Sequence, residues 1–159
     1  MLRNPQQRQL GFTLVELVTT IILISILSVT VLPRFFSPSS YSAYSLRNEF
    51  MAEMRKVQQK AMNNTDRCYR IAVSANGFET IQFDGRDNTG CIGTQSPLDS
   101  QVFQGGANLT LISNHANSFN LDFDSYGRTS LACNGNCIEV MADETLLINI
   151  SSEGYIYAN

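Results

Sequence analysis

The chain has 159 residues, enough for one ordinary domain, and its 11 basic and 14 acidic side chains give a net charge of −3. After Arg86 the only Lys or Arg is Arg128, against eight acidic residues. This half would repel a phosphate backbone, which argues against nucleic-acid binding. The only histidine, His115, stands in a polar stretch without a nucleophile, phosphate-loop or metal-ligand motif, so we expect neither an enzyme nor a cofactor.

A long apolar run lies near the N-terminus. From Phe12 to Leu32 it contains 21 residues with one charge, Glu16. As a helix it would span about 31 Å, the thickness of a bilayer core. Arg3 and Arg8 precede it, which favours a cytoplasmic N-terminus and export of the rest. The run exceeds the roughly 7–15 apolar residues of a secretory signal, and no Ala-x-Ala site follows it. We therefore predict a single membrane-spanning helix.

Two prolines interrupt the pattern after this run. Pro33 and Pro38 each remove a backbone donor and disfavour helix just before them, so we expect a kinked or partly melted joint over 33–45. A second, amphipathic helix is predicted from Ser42 to Met62, because apolar residues recur three or four positions apart. That stripe should pack on a sheet, and it consists of Ala43, Leu46, Phe50, Met54, Val57 and Ala61.

From Cys68 onward the apolar residues alternate, which predicts strands. Asn76-Gly77 is a hairpin signal, and a second strand should follow over Phe78–Phe83. A long loop is expected from Asp84 to about Ser100, since Gly, Asp, Asn, Ser and Pro dominate there. The fold class is thus α+β, with about seven short, mostly antiparallel strands; the later ones are expected around 109–111, 119–123, 138–141, 146–151 and 155–157.

Four cysteines lie beyond the apolar run: Cys68, Cys91, Cys133 and Cys137. An even number on the exported side indicates disulfides formed in an oxidising compartment, with three pairings open. Cys68–Cys91 and Cys133–Cys137 are favoured, because each closes a short loop that contains turn residues. A zinc site is disfavoured, since the spacings lack paired C-x₂-C clusters.

The stretch Gly11-Phe12-Thr13-Leu14-Val15-Glu16-Leu17 carries the strongest functional signal. A central acidic residue in a membrane helix costs about 2.5–3.5 kcal/mol on insertion scales, and less near the edge, so Glu16 is a functional candidate that needs a partner. GFTLVEL before an apolar run resembles the class III signal of type IV prepilins and type II secretion pseudopilins.

That resemblance implies a type IV pilin fold, in which a long N-terminal helix packs on a small antiparallel sheet. It implies cleavage between Gly11 and Phe12 by a prepilin peptidase, followed by N-methylation of Phe12. Removal of residues 1–11 would change the net charge from −3 to −5. Glu16 then becomes the fifth residue and Pro33 the twenty-second, both as in the family. Glu16 is implied to pair with the N-terminal ammonium of an adjacent subunit and to fix the register of assembly.

The expected organisation follows from these boundaries: a leader over 1–11, a membrane and assembly helix over 12–32, a kink with an amphipathic helix over 33–66, and a β-rich periplasmic head over 67–159. The expected partners are major and minor pilins, the prepilin peptidase, the inner-membrane assembly platform and the inner membrane. The chain would pass from the inner membrane into an extracellular pilus.

The head resembles the GspH/FimT group, and the MshC-type minor pilins of the mannose-sensitive haemagglutinin (MSHA) pilus in particular, through Pro33–Phe36, the long helix and the turn Phe123–Arg128. This implies a minor subunit that primes assembly near the tip; because the tip-capping pseudopilin typically lacks the glutamate, Glu16 favours a subunit with another above it. The alternatives are a GspH-like pseudopilin of type II secretion and, less favoured, a DNA-uptake pilin.

Two further features stay open at the level of sequence. Asp84–Asn88 offers oxygen atoms but lacks the EF-hand spacing, so we expect an ordinary turn rather than a calcium site. Tyr126, Tyr155 and Tyr157 would suit contact with a host surface or a neighbouring subunit, or packing in the sheet.

Overall fold

A computed structural model of the chain describes residues 12–35, 42–87 and 90–158, with side chains over 12–28, 43–87 and 90–158. The chain forms two compact units that divide between Ser37 and Pro38. The first unit contains helix α1, Leu14–Phe35. This helix continues through Pro33, so it ends three residues beyond the expected boundary at residue 32.

Among the described residues, no helix is both long enough and apolar enough to cross a membrane. Of the joint expected over 33–45, residues 36–41 lie outside the described part of the chain.

The second unit begins with helix α2, Ser42–Asn63, one residue longer than the prediction. Its apolar stripe faces inward, which confirms the pattern of three- and four-residue spacings. The predicted members of that stripe are all buried: Ala43, Leu46, Phe50, Met54, Val57 and Ala61. Met51 is buried as well. The buried stripe places α2 against strands of both sheets described below.

The described residues after α2 contain eight strands, in chain order: β1 (Cys68–Ser74), β2 (Gly77–Asp87), β3 (Gly90–Val102), β4 (Asn108–Leu111), β5 (Phe119–Asp122), β6 (Gly135–Met141), β7 (Thr145–Ile150) and β8 (Ile156–Ala158). They form two four-stranded sheets, ordered β3-β2-β1-β5 and β4-β6-β7-β8. Every pairing between these strands is antiparallel. The α+β class and the antiparallel strands are confirmed, but the head has two sheets where one was expected.

The prediction of a loop from Asp84 to Ser100 was wrong. In its place β2 continues to Asp87, and Gly90–Val102 returns beside it as β3. Almost every side chain of β3 is exposed, so the strand shows no alternation of apolar and polar residues. Its order comes from backbone pairing with β2 rather than from burial, and two register shifts in that pairing accommodate residues such as Pro97.

One main core lies between α2 and the two sheets. Phe50 of α2 is fully buried and meets Phe78 of β2 edge-on, with ring centroids 5.1 Å apart. Strands of both sheets contribute fully buried aliphatic side chains: Ile71, Leu121, Ile138, Val140 and Ile148. A smaller cluster of Cys68, Ile81 and Phe83 forms on the other side of the first sheet. Together these contacts hold the second unit around its helix.

Disulfides join Cys68 to Cys91 and Cys133 to Cys137, the two pairs that the loop lengths favoured. The first ties β1 to the start of β3, and the second closes a short loop at the start of β6. Because β3 buries so little apolar surface, the covalent tie to β1 is a substantial part of what holds its first residues in place.

Candidate assembly site at the N-terminal helix

Thr13 starts helix α1. Its side-chain oxygen accepts a hydrogen bond from the backbone N–H of Glu16 at 3.2 Å, and its carbonyl oxygen accepts the first helical bond, from Leu17 N–H at 3.1 Å. Thr13 is therefore the N-cap, and Glu16 occupies the third helical position. Thr-x-x-Glu before an apolar run is the capping-box pattern, a signal in the sequence that the interpretation of GFTLVEL as a processing motif did not use.

Glu16 lies exposed in the first turn of α1. A carboxylate there is stabilised by the positive end of the helix dipole, typically by about 0.3–1 kcal/mol. Within the part of the chain that the structure describes, nothing donates a hydrogen bond to the carboxylate or pairs with its charge. Helix capping therefore accounts for part of the preference for glutamate at this position and leaves its charge available to another group.

The described surface of α1, over residues 14–28, is mostly apolar. Its large aliphatic side chains from Leu14 to Leu27 are between 45% exposed, at Val18, and 78% exposed, at Leu14. Four hydroxyl groups of this helix do not need water as a hydrogen-bond acceptor, because each donates to a helix carbonyl three or four residues earlier. They belong to Thr19, Thr20, Ser25 and Ser28. The described part of α1 thus presents one charged group on a surface suited to lipid or to other apolar helices.

Comparisons with known proteins concern both the N-terminal segment and the fold of this chain. Residues 6–32 match the family model described as the prokaryotic N-terminal methylation motif. A crystal structure of the type IV minor pilin FimU from Pseudomonas aeruginosa (strain PAO1) has a similar fold, with a TM-score of 0.55 and 16% identity over 74% of this chain and 87% of that one. The chain therefore carries an N-terminal methylation motif and has a type IV pilin fold.

A second crystal form of the same FimU protein gives a TM-score of 0.53 at 16% identity, over 73% of this chain and 91% of the other. No curated protein matches this chain in sequence. At this identity the structural likeness establishes the type IV pilin fold, and the methylation motif establishes the class of N-terminus.

The other residues predicted for the pilin-like N-terminus are only partly visible. Phe12 precedes the helix and is 75% exposed, while Gly11 lies outside the described residues. Pro33 lies within α1, and its side chain is among those not described. The structure therefore places Phe12 and Thr13 immediately before α1 and Glu16 in its first turn, and the bond at which cleavage is expected involves Gly11, outside the described residues.

The candidate metal and catalytic residues of the head are engaged or exposed. Cys68, Cys91 and Asp122 lie close together, but both sulfur atoms are joined in a disulfide and cannot act as thiolate ligands. Asp87 accepts a hydrogen bond from Gly90 N–H at 3.1 Å, while Asn88, the last residue of the Asp84–Asn88 segment, lies outside the described residues. His115 is exposed in the turn after β4.

Several cations of the head are paired within the head itself. Arg70 donates two hydrogen bonds, both 2.7 Å, to Asp122, and this carboxylate raises the pKa of Arg70 further. Lys56 bridges Glu53 at 2.9 Å and Asp99 at 3.2 Å, and the hydrogen bond to Glu53 is the main cause of its raised pKa. Side chains engaged in this way form a mixed-charge surface, which is a poor match for a phosphate backbone.

Proposed function

We propose that this chain is a minor subunit of a type IV pilus of the MSHA type, a structural rather than catalytic protein that helps to prime filament assembly near the tip. One observation carries the proposal: a methylation motif leads directly into a helix with an apolar surface and one carboxylate, Glu16, which has no partner among the described residues. An apolar helix of this kind requires a lipid or helical environment, and the carboxylate requires a positive partner in it.

The maturation that we propose begins with cleavage between Gly11 and Phe12. Prepilin peptidase would remove residues 1–11, and methylation would leave N-methyl-Phe12 as a charged secondary ammonium. The run over 12–32 would be held in the inner membrane, with the head in the periplasm, until the assembly platform transfers the subunit into an extracellular filament. There the chain contacts major and minor pilins.

Glu16 would pair with the N-terminal ammonium of an adjacent subunit. An ion pair between apolar helices gains less net stability than its Coulomb attraction suggests, because both charges lose water. Removing one partner, however, leaves the other charge buried alone, at a cost of about 3–5 kcal/mol. The pair therefore selects the axial register in which the two charges meet.

A GspH-like minor pseudopilin of a type II secretion system is the second candidate. The methylation motif serves both machines, and the fold similarity to FimU favours the pilus only as an analogy. A DNA-uptake pilin is disfavoured by the acidic second half of the chain and by the paired cations of the head. Purification of the filament that contains the chain would separate the three, since each is defined by its major subunit.

Substitution of Glu16 tests the assembly role. We expect Glu16→Val and Glu16→Gln to be inserted and cleaved normally but to be missing from sheared filaments, because the ammonium of the neighbour would lose its partner. Thr20→Val is the matched control: it also removes a polar group from the run, but the Thr20 hydroxyl bonds its own helix. Incorporation of the Glu16 variants at the level of Thr20→Val would refute the ion-pair role.

Mass spectrometry of the mature N-terminus tests the processing step. We expect a chain that begins at methylated Phe12. A mature chain that begins at any other residue would contradict the proposed cleavage between Gly11 and Phe12, whatever the outcome with Glu16.

A further inference from the structure

A second organised surface lies at the C-terminal part of α2, where one side chain joins two turns. Gln58 donates from Nε2 to the carbonyl oxygens of Gly127, at 2.6 Å, and Gly154, at 2.7 Å. Both glycines have positive φ, +81° and +87°, and a Cβ atom on Gly154 would lie 2.0 Å from the Gly127 oxygen. The two turns are therefore packed too closely for another residue at position 154.

The first turn, Asp124–Arg128, is held rigid from within. Asp124 accepts backbone N–H groups from Tyr126 at 2.9 Å and Arg128 at 2.8 Å, and the Arg128 side chain at 2.9 Å. Partial burial disfavours the charged carboxylate, but these hydrogen bonds outweigh it and hold the pKa of Asp124 below its ordinary value. The turn presents Tyr126, which is 75% exposed, with the Arg128 guanidinium 5.3 Å from its ring centroid.

The second turn, Ser151–Tyr155, is closed in a similar way. The N–H of Ser151 donates to the Tyr155 carbonyl at 2.9 Å, and the N–H of Tyr155 donates to the Ser151 hydroxyl at 3.0 Å. Tyr155 is 69% exposed, and its ring stacks on Tyr157 with centroids 5.5 Å apart. Each turn thus presents one exposed tyrosine, Tyr126 or Tyr155, which contributes little to the core.

A groove of about 430 Å³ lies beside these tyrosines; we call it the tyrosine groove. Arg55, Gln59 and Met62 of α2 line it together with Tyr126, Glu153 and Tyr155. Tyr, Met and Arg are the residue types enriched at protein interfaces, and rigid exposed tyrosines lose little side-chain entropy on binding. This composition favours a protein as the occupant.

The tyrosine groove contains one cation and several groups that can donate hydrogen bonds. Arg55 donates one N–H to the Ile156 carbonyl at 2.9 Å, and its guanidinium has no other partner within the described residues. The Gln59 amide and the Tyr126 and Tyr155 phenols add further donors, whereas Glu153 is the one carboxylate in the lining. The Arg55 guanidinium and the donors around it are complementary to carboxylates.

We propose that the tyrosine groove docks a carboxylate-bearing segment of a neighbouring pilin subunit. This rests on the proposed function, which supplies such a neighbour, and it adds a contact between heads to the contact between N-terminal helices. The α2 residues of the groove belong to the last turns of that helix.

Site-specific photocrosslinking in cells that assemble the filament tests the proposal. The full chain would carry p-benzoylphenylalanine in place of Tyr126, and a control chain would carry it in place of Val102, which is 71% exposed and outside the groove. We expect position 126 to crosslink to another chain with a methylated N-terminus, within a peptide that contains Asp or Glu, at a yield at least tenfold above position 102.

Charge variants then test the chemistry of the contact. Arg55→Glu should lower the crosslink at position 126 by about tenfold, which corresponds to 1.4 kcal/mol, and Arg55→Lys should retain most of it. Equal crosslinking from positions 126 and 102, adducts with lipid only, adducts with a peptide lacking acidic residues, or indifference to Arg55→Glu would each overturn the proposal. Incorporation of the chain into filaments is scored separately, and its absence overturns the proposed function and the groove contact with it.

Discussion

Replacement of Gln58 by Met should destabilise the head through the loss of two hydrogen bonds. Met matches Gln in length and in helix propensity, so the change removes the amide while keeping the helix and most of the packing. The amide donates to Gly127 and Gly154 at 2.6 and 2.7 Å in a partly buried position. At about 1 kcal/mol for each net hydrogen bond, the expected loss is about 2 kcal/mol.

The matched control for this variant is the next residue. Gln59→Met makes the same chemical change on the same helix, but Gln59 is exposed and donates to nothing within the described residues. For a head of this size, about 2 kcal/mol corresponds to a fall in Tm of roughly 6–10 °C. Near-UV circular dichroism of the full chain in detergent would follow the tyrosines during unfolding. A Gln58→Met Tm within about 2 °C of Gln59→Met would refute the role given to the two carbonyl contacts.

Three further predictions concern the head. Because the pKa of Asp124 is lowered in the folded chain, its carboxylate stabilises the fold at pH values above the unfolded pKa of about 3.9. This stabilisation is lost as the pH falls through the folded pKa. Asp124→Asn should therefore remove that part of the acid sensitivity in measurements of Tm against pH. Phe50→Ala should cost about 3–5 kcal/mol in denaturant unfolding, and loss below 1 kcal/mol would contradict its place in the core. Serine at both Cys68 and Cys91 should cost about 3 kcal/mol for a 23-residue separation, and non-reducing peptide mapping should recover that pair intact in the native chain.

Helix α2 could be predicted from sequence because its contacts leave a periodic record. The residues from Ala43 to Ala61 that repeat at three and four positions are the ones that the structure buries. The hairpin was also visible from the alternation on either side of Asn76-Gly77, but its turn lies one residue earlier, at Ala75-Asn76, and Gly77 is already the first residue of β2. Both elements follow from burial or turn geometry within a short window of sequence.

Strand β3 left no such record. Its side chains are exposed on both faces, so neither face demands apolar residues, and its Gly, Ser, Asp and Pro resemble a loop. What orders it is a partner strand and a disulfide from Cys68, 23 residues away. Edge strands stabilised in this way cannot be recognised from hydrophobic periodicity alone.

The tyrosine groove depends on separations that are longer still. Gln58 is an ordinary polar residue of an amphipathic helix until the chain places Gly127 and Gly154 beside it, 69 and 96 residues later. The sequence left Tyr126 and Tyr155 open between packing and contact with a partner. The structure resolves this in favour of exposure, because both rings stand on closed turns and outside the core.

In the proposed assembly, the N-terminal helix and the tyrosine groove have different roles. Lipid tails are as apolar as leucine, so an apolar helix gains little hydrophobic free energy when it leaves a membrane for a bundle of similar helices. The exposed aliphatic side chains of α1 therefore permit many packings and select none. Selection falls to polar groups with fixed positions, and the described residues offer two kinds: Glu16 at the first turn of α1, and the donors around Tyr126 and Tyr155 on the head. Glu16 can fix the register with any neighbour that has a free N-terminus, whereas only a neighbour with carboxylates at the right place can fill the groove. In the proposed assembly, the choice of neighbour would therefore depend on the head.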